Sequence, residues 1–309
     1  MPAVPEVPVD ASAVLEPGPW EHRMVAANGA RFHVAELGDG PLVVLLHGFP
    51  GDWWAWRHQL AALAEAGYRA VAMDLRGYGA SDKPPRGYDL PTLAGDVAGV
   101  VRSLGARDAA VVGHDWGGAV AWTVAALQPG VVRRVCVVSS PHPRRMRTAL
   151  LTSRTQLLAS RHILGFQRPM LPERQLVADD GALVERMLRA WSATRWPDPE
   201  SARHYRTSIQ VPGTAHCSME GWRWAVRSVP RGDGIRYHRA MKTPVTVPVL
   251  QLHGALDRAL LPGSAQGSSH YVDGPYRWQL LPGVGHFPHE EDPAAVSEQL
   301  LRWLGEDAR

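Results

Sequence analysis

Short runs that are apolar throughout mark the first half of the chain: Leu42–Leu46 (LVVLL), Ala70–Met73 (AVAM), Ala109–Val112 (AAVV) and Val135–Val138 (VCVV). Continuous rather than alternating apolar character suits strands covered on both faces. Between these runs, Trp53–Ala66, Leu90–Leu104 and Gly117–Leu127 carry apolar residues at helical spacing. The alternation predicts a mostly parallel sheet with helices on both faces.

The pattern changes between Pro141 and Thr243. No strand-like run occurs there, and Thr148–Ile163, Gly181–Trp191, Pro199–Ile209 and Ala215–Arg227 read as helices separated by prolines. Strand texture returns at Val247–Leu252 and Arg277–Leu281. A last amphipathic helix, Pro293–Leu304, follows Asp292, which is placed to cap it with proline at its first position. The reading is therefore an α/β core made of residues 21–140 and 244–309, a helical cap at 141–243, and a loosely held, extended N-terminal arm at 1–20.

Composition bounds this picture without altering it. The chain has 309 residues, 45% hydrophobic and 20% charged, enough for one large core plus an insertion. No run approaches the roughly 18 apolar residues of a membrane span. The proline-rich start lacks a basic and then apolar leader, so a cytoplasmic protein without membrane insertion is expected. Cys136 and Cys217 form neither a metal spacing nor a disulfide framework. Charge does alter the picture. Net charge is +3, yet residues 141–243 hold 17 Arg and one Lys against eight acids, or +10, leaving −7 for the remainder. Such segregation marks either solvated helix faces or a surface for an anionic partner. No nucleic-acid motif accompanies it, and no nucleic-acid partner is expected.

Open α/β sheets place their chemistry at the carboxyl ends of the strands. The residues following the apolar runs are His47-Gly48-Phe49-Pro50, Asp74-Leu75-Arg76-Gly77-Tyr78-Gly79, Gly113-His114-Asp115-Trp116-Gly117, His253-Gly254-Ala255-Leu256-Asp257 and Gly283-Val284-Gly285-His286-Phe287. The third has the spacing of a nucleophile elbow, with aspartate where serine is common. A carboxylate suits attack on saturated carbon carrying a leaving group, and the resulting ester then needs a base, an orienting acid and an oxyanion hole.

In their order and spacing these five motifs resemble the α/β-hydrolase fold and, within it, the epoxide hydrolase family. The resemblance implies Asp115 as nucleophile, His286 as base for water, Asp257 as its orienting acid (Asp273 as fallback), and the N–H groups of Phe49 and Trp116 as oxyanion hole. No cofactor and no metal are implied. His289 ranks far below His286, and His47, His114, Asp74 and Arg76 read as loop braces. Family members usually carry two cap tyrosines that protonate the opening ring. Here the matched motifs, HILGFQRP at 162–169 and MEGWRWA at 219–225, put His162 and Trp222 at those places. Tyr205 and Tyr237 are the nearby phenols that would substitute for them. Trp116, Trp222 and His162 are the expected substrate contacts in an apolar pocket between core and cap. The implied substrate is a small epoxide, hydrophobic or aromatic, with a distant carboxylate favoured by the positive cap. A haloalkane or haloacid dehalogenase using the same aspartate, or an inactive ligand-binding relative, stands as the alternative. The assembly reads as monomer or homodimer.

Overall fold

The computed structural model describes residues 8–307. One sheet contains β1 (Glu21–Ala27), β2 (Ala30–Leu37), β3 (Leu42–Leu46), β4 (Arg69–Met73), β5 (Ala109–His114), β6 (Val132–Val138), β7 (Val249–Gly254) and β8 (Tyr276–Leu281). Their order is β1-β2-β4-β3-β5-β6-β7-β8. Strands β3 to β8 run parallel, while β2 meets β1 and β4 antiparallel. Every residue of β3, β5 and β7 is buried, as strands covered on both faces require, including the polar His114, Gln251 and His253.

The β1–β2 hairpin lies outside the apolar pattern because β1 buries only Val25. Its signal is Asn28-Gly29, where both residues have positive φ (44° and 75°). A two-residue turn of this kind has the twist a hairpin needs.

Helices α1 (Arg57–Glu65), α2 (Leu90–Ser103) and α3 (Asp115–Leu127) connect strands of the first half. Between β6 and β7 come α4 (Pro143–Thr152), α5 (Arg154–Ala159), α6 (Arg161–Gly165), α7 (Leu171–Trp191), α8 (Pro199–Gln210), α9 (Thr214–Arg227) and α10 (Gly232–Ala240). After β7 follow α11 (Pro262–Ala265), α12 (Pro288–Glu291) and α13 (Pro293–Leu304). The last packs beside α1, and α2 packs beside α3. Asp292 caps α13 through the Ala295 N–H at 3.1 Å.

The single helix expected over Thr148–Ile163 is three short ones. Ser153 is extended at ψ 107° and its hydroxyl caps α5 through the Gln156 N–H, and Ser160 ends that helix. Serine competes for backbone partners and favours such breaks. Helix α7 is likewise interrupted at Ala178–Gly181.

Over its described part the N-terminal arm is not loose. Ala11–Val14 form a 3-10 turn, Val14 is fully buried, and its carbonyl accepts from Trp53 Nε1 at 2.8 Å. Trp20 packs edge-on against Trp53, and Glu16 reaches His204 of α8 at 3.1 Å. Residues 1–7 of the expected arm lie outside the described residues.

Candidate active site

Strand β5 runs directly into α3, and Asp115 sits at the junction with φ +48°. A non-glycine residue held there costs about 1–3 kcal/mol. The bend is possible because its neighbours lack side chains. A Cβ on Gly113 would lie 2.2 Å from the Gly117 carbonyl oxygen, and one on Gly117 would lie 2.3 Å from that of Leu46. The sharp turn leaves the carboxylate at the first turn of α3, where unpaired N–H groups favour negative charge.

Oδ2 of Asp115 accepts from the Phe49 backbone N–H at 3.1 Å, and the Trp116 N–H also bonds the carboxylate. Oδ1 lies 3.6 Å from His286 Nε2. The other ring nitrogen, Nδ1, is 2.9 Å from Asp257 Oδ2. Asp257 is itself fixed: its Oδ1 accepts from the N–H groups of Ala259 and Leu260 at 2.8 and 2.9 Å. His253 Nε2 stands 3.2 Å from its Oδ2. All three side chains are buried.

Burial alone would raise the Asp115 carboxyl, but the His286 imidazole 3.6 Å away outweighs this and holds it below the usual range. Asp257 is lowered in the same way, against burial, chiefly by His286 and His253. Burial would depress His286. The hydrogen-bonded Asp257 charge and the nearby Asp115 charge instead raise it to about 10. The resting arrangement is therefore an imidazolium held between two carboxylates.

Above Asp115 lies a cavity of ≈ 10 Å³, room for about one water. Its lining brings together Asp115 and His286 from the core with Ser160, His162, Trp191 and Trp222 from the helical insertion. His162 and Trp222 thus both reach the site. Their chemistry differs, however. His162 Nδ1 is 3.1 Å from the Ala159 carbonyl, which only accepts, so that nitrogen carries a proton. The neutral ring then presents Nε2 as an acceptor, and burial pushes its pKa below the ordinary value. The buried Nε1 of Trp222 has no partner among the described residues and is the unspent donor in the roof.

The Trp116 side chain departs from the expected substrate contact. Its ring packs at a 42° tilt against that of Trp222, centroids 4.9 Å apart, and against Gly221, outside the residues lining the cavity. The fallback phenols are elsewhere. The Tyr205 hydroxyl donates to Glu290, and the Tyr237 hydroxyl is 3.0 Å from that of Thr123, both buried away from this cavity. Asp273 is also apart: its described backbone bond goes to Val245.

Four residues read as braces behave so. His47 Nε2 accepts from the Leu75 N–H at 3.0 Å. His114, held neutral by burial at about 3, donates Nε2–H to the His286 carbonyl at 2.8 Å. Asp74 gathers the N–H groups of Trp53 and Ala80, and Arg76 pairs with Asp96. Sequence reading missed Glu291. One of its oxygens accepts from the N–H groups of Gly285 and Phe287, the other from Ala193 and Thr194. It ties the His286 loop to the end of α7, whose Trp191 carbonyl accepts from the His286 N–H at 3.0 Å. Only the doubled acid shortly after the histidine hinted at this.

Residues 41–293 match the alpha/beta hydrolase fold family. Epoxide hydrolase A of Mycobacterium tuberculosis is 32% identical over an alignment covering 91% of this chain and 96% of that protein. The AB hydrolase superfamily protein YfhM of Bacillus subtilis is 33% identical, with 91% and 97% covered. A solved epoxide hydrolase from an endophytic Streptomyces superposes with a TM-score of 0.81 at 30% identity, covering 94% and 97%. The chain belongs to the epoxide hydrolase branch of the α/β hydrolases. His162 and Trp222 stand in the roof, at the places where the sequence resemblance led two tyrosines to be expected. The Asp115–His286–Asp257 arrangement rests on the strand ends where the motifs led it to be expected.

Proposed function

We propose that this α/β hydrolase opens small epoxides to vicinal diols through an ester on Asp115. The observation that carries the reading is the buried Asp115–His286–Asp257 line, with the Phe49 N–H on the same carboxylate. Asp115 attacks a ring carbon; the new O–C bond forms as the ring C–O bond breaks. The Trp222 N–H hydrogen-bonds the departing oxygen, which takes its proton from solvent or from the cationic form of His162. The helices at 141–243 act as a cap whose aromatic residues favour hydrophobic or aromatic epoxides. The cavity holds about one water as it stands, so substrate entry parts the cap from the core.

Esterification has a consequence for the base. It removes the Asp115 charge, one of the two anions that raise His286. The imidazolium then loses its proton more readily and serves as base for the attacking water. Asp257 keeps the ring oriented. Water adds to the Asp115 carbonyl carbon, and the Phe49 and Trp116 N–H groups hold the oxyanion, a donor of this kind being worth about 3–4 kcal/mol. Collapse releases the diol and restores the carboxylate. No cofactor enters any step.

One turnover of styrene oxide in heavy-oxygen water tests this. The label is expected in the Asp115 carboxylate, with unlabelled diol released first. A diol labelled at once would overturn the ester route. The unspent Trp222 N–H would also suit a halide, so a bromoalkane run in parallel with halide detection separates the dehalogenase reading.

A further inference from the structure

The charge of the helical insertion is concentrated in one stretch. Residues 141–172 contain Arg144, Arg145, Arg147, Arg154, Arg161 and Arg168 and no acidic residue. Within it, helix α5 is amphipathic in an inverted sense. In α5 it is Gln156 that points inward, its amide donating to the Ala259 carbonyl and accepting from the Leu261 N–H. Ser160 is buried beside it. The leucines point out: Leu151 is 79% exposed, Leu158 66% and Leu164 65%, with Met170 at 63%. Across the described residues, nine of the twelve exposed large hydrophobics fall within 141–243, a third of the chain. Scattered surface leucines need no explanation. Leucines concentrated among arginines, on a stretch without acids, do.

A second feature adjoins this surface. Arg147 also lines a groove of ≈ 260 Å³ together with Arg144, Arg239, Lys242 and the half-exposed Ile235, and none of its lining residues is acidic. Cations beside apolar side chains complement a surface of anionic headgroups over acyl chains.

We propose that the α4–α6 face docks on anionic lipid bilayers, its arginines on the headgroup phosphates and its leucines in the interfacial layer. The contact is peripheral: no described helix is long and apolar enough to cross a membrane. The proposal goes beyond the reaction assigned above and does not depend on it. It does place the face beside the site, because Ser160, His162 and Ile163 of the same stretch line the cavity over Asp115.

The test is cosedimentation of the full chain with vesicles of pure phosphatidylcholine and of phosphatidylcholine mixed with phosphatidylserine. Binding is expected to the mixed vesicles, weaker on the neutral ones by about tenfold or more, and falling on the order of tenfold from low to high salt. The L157S/L158S and R147Q/R154Q variants, which alter only exposed side chains, are each expected to lose most of this binding. Both should keep the wild-type melting temperature and turnover of a water-soluble epoxide. Equal binding to both vesicle types, or none to either, overturns the proposal. So does binding that survives in both variants. If sedimentation instead shows a dimer that L157S/L158S dissociates, the face belongs to a second copy and the proposal also fails.

Discussion

Around Asp115 the floor of the cavity is made of strand ends and the roof of short helices, and the two are furnished differently. Below, polar atoms are spoken for. The Asp115 oxygens face the Phe49 N–H and His286, and Asp257 accepts from two backbone N–H groups and the imidazole. Above, His162 spends its Nδ1 proton on Ala159, and the Trp222 N–H is spent on nothing. The contrast separates two chemical tasks. Under the proposed mechanism, ester hydrolysis is assigned to the floor. The same mechanism assigns stabilisation of the leaving oxygen to the roof, where His162 and Trp222 stand.

Breaking the floor should have the largest effects. Asp115→Ala is expected to cut turnover by about 10⁴-fold or more, because no other carboxylate is placed to attack; a few-fold loss in steady-state rate would contradict its role. His286→Gln should separate the steps. Steady-state turnover falls by about 10⁴-fold. One equivalent of substrate remains bound to the peptide containing Asp115, visible by mass spectrometry. An unmodified peptide after one turnover would argue against the base assignment.

The roof should respond more mildly. Trp222→Phe keeps an aromatic ring packed against Trp116 but removes the N–H. The expected loss is about 10- to 100-fold in the ring-opening step, the range of one transition-state hydrogen bond, with ester hydrolysis unchanged in single-turnover kinetics. If ester hydrolysis slows instead, the indole does not serve the leaving oxygen. Glu291→Gln, between floor and roof, replaces one of two accepting oxygens by an NH2 donor, so two of the four N–H groups lose their acceptor. A destabilisation of about 1–3 kcal/mol is expected by denaturant unfolding. An unchanged midpoint would show that the clamp is redundant.

The smallest effect concerns pH. The folded pKa of His286, about 10, lies above its ordinary value of 6.5. Its contribution to stability is therefore full below about 6.5 and is lost as pH rises through about 10. His204, raised to about 9 by Asp52 and Glu16 against its burial, titrates in the same window. The melting temperature should thus decline from neutral to alkaline pH, and less steeply in His286→Gln, which retains the His204 share. Parallel curves for the two proteins would place the imidazolium elsewhere.

Legibility divided along the same line. The floor could be read because each motif sits within a few residues of an apolar run, and a strand end positions the next few residues by local backbone geometry. Gly113 and Gly117 announce the bend at Asp115 before any coordinate does. The β1–β2 hairpin was missed because a half-exposed pair of strands carries little apolar signal, although Asn28-Gly29 marks its turn. The N-terminal arm looked loose because nothing local shows that Val14 and Glu16 find partners near residues 53 and 204.

What the linear chain determined was the parallel sheet, the inserted helices, their positive charge, and the identity of the three residues lined up at the strand ends. Tertiary structure alone decided which groups of the insertion face Asp115, that Trp116 supports the roof rather than lining it, that Tyr205 and Tyr237 are engaged elsewhere, and that Glu291 binds two segments together. The reason is physical. A strand's register fixes the loop after it, whereas the rotation and seating of a helix depend on distant contacts that neighbouring residues do not encode.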